Sequence, residues 1–154
     1  MRRCGRILSA VAAATALLMA ARATLPDDGK AAFEKRQDTM KRMGRSLYLG
    51  VGRVVKGTVA YGPDTVTAAE TVATIAGSLD ATLFPPGSAV AESRIKPEIF
   101  AAGDHVRQLI AAVKTATTRL VPAVKTGDKA AFATAYTAVN DACNACHNEF
   151  RKEE

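Results

Sequence analysis

From Asp28 onward the apolar positions recur with helical spacing, and the period-two alternation of a strand is missing. Phe33, Met40, Leu47 and Val54 follow one another every seven residues, with Met43 and Val51 between them. This one-sided stripe suits bundle packing and predicts a first helix from about Asp28 to Lys56, with Asp27 and Asp28 offering an N-cap and favourable first-turn charge. Gly44, Gly50 and Gly52 each cost ~1 kcal/mol relative to alanine inside such a helix, so they either admit a close neighbour or fray its end. Gly57 and Gly62-Pro63 stop it. A second helix is predicted over about Asp64–Ala81, using Val66, Val72, Ile75 and Leu79. Leu83-Phe84-Pro85-Pro86-Gly87 breaks it, and the stretch to Lys96 reads as an ordered loop. Pro97 fits the first position of a third helix running through Phe100, Val106, Ile110, Val113 and Leu120. Pro122 disturbs its last turn, and Gly127 suits the position just past its end. Asp128 then caps a fourth helix carrying Phe132, Tyr136, Val139, Cys143, Cys146 and Phe150. The expected fold is all-α, an antiparallel four-helix bundle.

The first 23 residues have a different character. A basic head, Met1-Arg2-Arg3-Cys4-Gly5-Arg6, is followed by an uncharged apolar run from Ile7 to Ala20, and Ala21-Arg22-Ala23 is a small-x-small cleavage pattern. This is the plan of a cleaved secretory signal peptide. A membrane anchor needs ~20 apolar residues, and Arg22 cuts the run short. Cys4 precedes the run and is a poor lipidation site. The expected organisation is residues 1–23 as signal and 24–154 as one domain, periplasmic, with no transmembrane segment after cleavage. The signal carries four of the 21 basic residues and no acid, so the formal charge of +6 falls to +2 without it. Nucleic-acid binding thereby loses its main support.

Two of the three cysteines remain, in the string Cys143-Asn144-Ala145-Cys146-His147. Three-residue spacing on a helix puts both sulfurs near one side, one turn apart, where they can add to the two vinyl groups of a porphyrin. His147, next to the second cysteine, can then place an imidazole nitrogen on the iron. A zinc site normally needs a second pair of ligands. A thioredoxin-type redox pair expects a strand-helix-strand setting, and a structural disulfide leaves His147 unexplained. The reading is one haem c per chain, attached through Cys143 and Cys146, with His147 axial.

The sixth coordination position stays open on the residues alone. Met40 and Met43 are the methionines left after the signal, and such residues are more often core filler than ligands. Arg36 lies one turn before Met40, either as a solvated charge or as a contact for a haem propionate. His105, among Asp104 and Arg107, reads as part of a solvated face.

This combination resembles the class II cytochromes c, the family of cytochrome c′ and its low-spin relatives, over nearly the whole mature chain. The likeness rests on Cys143-x-x-Cys146-His147 followed by Glu149-Phe150-Arg151, and on Arg36-Gln37 followed by Met40. Met40-Lys41-x-x-Gly44-Arg45, Lys56-Gly57 and Leu83-Phe84-Pro85 look more like the low-spin branch, in which a first-helix methionine ligates iron. The resemblance therefore implies a Met40/His147-ligated carrier of single electrons that meets redox partner proteins transiently. Met43 is the backup ligand, and Arg36 and Met43 belong to the pocket. Arg36-Gln37 is also common in five-coordinate members, so the alternative is a cytochrome c′ whose open iron face binds nitric oxide or carbon monoxide. Many members pair into homodimers. An enzyme such as a peroxidase has the least support, since no distal acid-base group stands out.

Overall fold

Asp28–Gly44 forms α1 because its apolar side chains keep to one stripe while Lys, Glu, Gln and Asp occupy the rest. The structure, a computed structural model, describes residues 28–153. The predicted signal segment, Cys4 and Asp27 lie outside them. The first predicted helix is observed as three joined pieces. α1 continues into a π-helical turn, Arg45–Val51, and then into the short α2, Gly52–Val55. The extra residue per turn lets Met43, Leu47 and Val51 all face the core, at 5%, 1% and 0% exposure.

Gly50 explains why the chain tolerates this turn. A β-carbon there would stand 2.4 Å from the Cβ of Ala68, so only glycine lets this turn press against the next helix. Of the two readings of these glycines, a close neighbour therefore holds at Gly50.

α3, Pro63–Ser78, begins on a helix-compatible proline, and Thr65 Oγ1 accepts from the N–H of Gly62 at 3.3 Å. It ends three residues earlier than predicted, because Asp80 accepts a hydrogen bond from the N–H of Thr82 at 2.8 Å and starts a separate 3-10 turn, Ala81–Leu83. Pro97 begins a 3-10 turn, Pro97–Phe100, and not the third long helix. That helix, α4, starts only at Gly103 and runs to Thr126. Pro122 is accommodated inside it, exposed, and the helix goes on for another turn. Gly127 closes α4 in the left-handed region (φ 68°), as its place in the sequence predicts. Asp128 caps α5, Lys129–Phe150, by accepting from the N–H groups of Ala130 and Ala131.

The α1–α2 run, α3, α4 and α5 make a four-helix bundle. Its core is built from Leu47, Val51, Val72, Leu120, Val124 and Val139, each at most 1% exposed and each contributing roughly 1.5–3 kcal/mol by burial. No helix among the described residues is long and apolar enough to cross a membrane.

Candidate functional site

α5 carries Cys143, Cys146 and His147 on one face, since positions three and four apart lie above one another on a helix. They line a cavity of about 500 Å³ with mostly apolar walls, closed on the opposite side by Met40, Met43, Leu47 and Tyr48 from the α1 run. Leu109 and Ile110 of α4 form a third wall. The volume falls in the range usual for cofactor sites, roughly 300–1,000 Å³.

Burial sets the protonation of the three α5 groups. The Cys143 thiol is pushed up to about 11 by desolvation and by its neighbour Cys146, and the Cys146 thiol is raised by burial and by Glu149. Before a porphyrin is attached, both thiols stay protonated near neutral pH, the unreactive form towards disulfide exchange. The His147 imidazole is pushed down by burial and then by Arg151, which keeps it neutral and its lone pair open for a metal.

The two methionines separate. Met43 is 5% exposed and part of the hydrophobic core, with one side on the cavity. Met40 is half-buried at the cavity wall and packs on the core from outside it.

Arg36 corrects the solvated-charge reading. It is 5% exposed, and its two terminal nitrogens donate to Leu83 O at 2.7 Å, Ser88 Oγ at 3.0 Å, Ser88 O at 2.8 Å and Ser93 Oγ at 3.2 Å. Four of the five N–H donors of the guanidinium are thus committed to the loop before α4, which limits what it can offer a propionate. Sequence reasoning missed these partners because two are backbone carbonyls and all lie 47–57 residues away. Tyr48 also lines the cavity, and burial raises its phenol pKa. His105 is on the exposed face expected of it, where it meets Glu149 at 2.8 Å and packs near the Phe150 ring.

The family model described as Cytochrome C′ matches residues 31–151. The chain belongs to the cytochrome c′ family. It is 32% identical over 95 residues to the cytochrome c′ of Rhodocyclus tenuis, covering 59% of this chain and 71% of that one. Among solved structures it is similar to a cytochrome c′ described as having an unusual ligand-controlled dimer dissociation (27% identity, TM-score 0.73, 81% of this chain and 97% of the other). It is also similar to the nitric oxide complex of a mutant of cytochrome c prime from Alcaligenes xylosoxidans (25% identity, TM-score 0.72, 82% and 97%). The cofactor of this chain is haem c. The residues fit it: two thiols one turn apart, an adjacent neutral imidazole, and an apolar cavity reaching from them to α1. None of these relatives points to the low-spin branch suggested by the first-helix motif.

Proposed function

We propose that this member of the family is a gas-binding haem protein. Cys143 and Cys146 would hold the haem by thioether bonds and His147 would bind its iron, so that nitric oxide or carbon monoxide would bind from the side of α1. Bound haem supplies a redox-active iron with an axial position for a small ligand. The carrying observation is an apolar cavity that has Cys143, Cys146 and His147 on one wall and Met40 on the other. Burial keeps His147 neutral and so able to bind metal. Met40, Leu47 and Leu109 give the cavity apolar walls, which favour small uncharged diatomic molecules over water. The gas complex of a similar cytochrome c′ supports the same reading. In this proposal residues 1–23 direct export to the periplasm.

A second reading has one observation in its favour. Met40 lines the same cavity as His147, and its soft thioether is a known kind of haem ligand. A Met40/His147-ligated iron would make the chain an electron carrier that meets redox partner proteins transiently. Absorption spectra of the oxidised and reduced holoprotein, with and without carbon monoxide, decide between the two. High-spin bands that shift with carbon monoxide are expected. Low-spin bands that ignore the gas would overturn the gas-binding reading and leave the electron carrier.

A further inference from the structure

Between the 3-10 turn at Ala81–Leu83 and the one at Pro97–Phe100, residues 84–96 form a strap that supplies Ser93, Arg94 and Ile95 to the cavity wall. Two sets of bonds hold it. On one flank stands Arg36, with its four hydrogen bonds of 2.7–3.2 Å and its guanidinium carbon 5.6 Å from the Phe84 ring centroid and 5.9 Å from that of Phe33. On the other flank the N–H of Lys96 donates to Phe150 O at 2.8 Å, the N–H of Lys152 donates to Arg94 O at 2.7 Å, and Ile95 pairs antiparallel with Arg151. Arg36 stands one turn before Met40, and Arg151 one turn after His147. The strap therefore joins the turn that carries Met40 to the turn that carries His147.

The choice of residue is informative. Among the described residues no carboxylate forms an ion pair with Arg36. Withdrawing such a charge from water is expensive, and an apolar side chain would fill the same space at lower cost. What a planar guanidinium adds is a rigid fork of donors that reaches two carbonyls and two hydroxyls at once, while its faces lie against aromatic rings. The acceptors lie just before the strap, at Leu83, and along it, at Ser88 and Ser93.

We propose that Arg36 is a positioning residue, a pin that seats the 84–96 strap on α1 and through it fixes the cavity wall and the α5 turn that follows His147. The pin does not depend on which ligand takes the sixth position, so its failure would leave the haem assignment and the spectral test above untouched.

Amide hydrogen exchange on the haem-loaded full chain tests it. In Arg36→Met, the amides of Ser88, Ser93, Lys96 and Lys152 should exchange about tenfold faster or more, the ratio expected from losing one or two net hydrogen bonds. This acceleration should exceed any change at the core amides of Val72 and Leu120. Arg36→Lys should leave the strap fast, since one ammonium cannot span the same acceptors, and the haem absorption bands should shift in both variants. Unchanged strap protection in Arg36→Met overturns the proposal. So does full restoration by Arg36→Lys, which would reduce the residue to a charge. Should Arg36→Met not accumulate folded, the double variant Ser88→Ala/Ser93→Ala carries the same test, and wild-type exchange in its strap would overturn the pin equally.

Discussion

Met40 and Met43 lie within one turn of each other on α1, yet Met43 is 5% exposed inside the core while Met40 stands half-buried at the cavity wall. The difference separates two outcomes. Met43→Ala should cost 2–5 kcal/mol of stability, as for a core methionine, measured by denaturant unfolding, with the haem spectrum retained. Met40→Ala should cost less stability and leave high-spin bands in place if the iron is five-coordinate, whereas conversion from low spin to high spin would show Met40 to be a ligand. Protonation gives a further expectation. Folding raises the Cys143 thiol to about 11, so before haem attachment the folded chain contributes full stability from this group below the ordinary thiol value of about 8.5. It then loses that contribution as pH rises towards the folded value, because only the unfolded thiol ionises freely. Alkylation of Cys143 by iodoacetamide should accordingly be slower in the folded haem-free chain than in denaturant at pH 8–9, and equal rates would contradict the burial. At this scale the shared cavity placement of Cys143, Cys146 and His147 was legible because their helical spacing puts them on one face. Arg36 was not, since nothing near it in sequence shows that distant carbonyls and serines surround it.

The helices were read from periodicity, and the departures occur where a local hydrogen bond or a tertiary contact outweighs it. Asp80 captures the N–H of Thr82 and ends α3 early, and the first turn after Pro97 closes as 3-10 before α4 begins at Gly103. The π-helical turn at Arg45–Val51 was invisible because a heptad stripe looks the same with or without one extra residue, until the partner helix is known. Gly50 makes this testable. Gly50→Val would drive its side chain into Ala68 and should destabilise the bundle by 1–3 kcal/mol, an overpacking cost read by thermal or chemical unfolding. The N-cap at Asp128 was legible in full. Asp128→Ala should cost ~1 kcal/mol by removing the acceptor for the N–H groups of Ala130 and Ala131, and Asp128→Asn should recover most of it.

At the scale of the molecule, the four-helix architecture follows from four one-sided stripes joined by breakers, and the cavity follows from the space that the bundle leaves between α1 and α5. Its existence could not be read from the stripes, because a stripe shows which face turns inward and not whether the inward faces meet. The double variant Cys143→Ser/Cys146→Ser should lose covalently bound haem, shown by mass, and its thermal midpoint should fall by roughly 10 °C, the change that a loss of about 3 kcal/mol produces in a domain of this size. Chain order adds a last consequence. α5 follows α1, α3 and α4, so during synthesis the Cys143-to-His147 segment emerges after the helices that will enclose it. While still threaded, its sulfhydryls would ionise as in a free peptide, and only docking against α1 and α4 would silence them. Under the proposed haem attachment, the window for the covalent step thus lies between emergence of α5 and closure of the bundle.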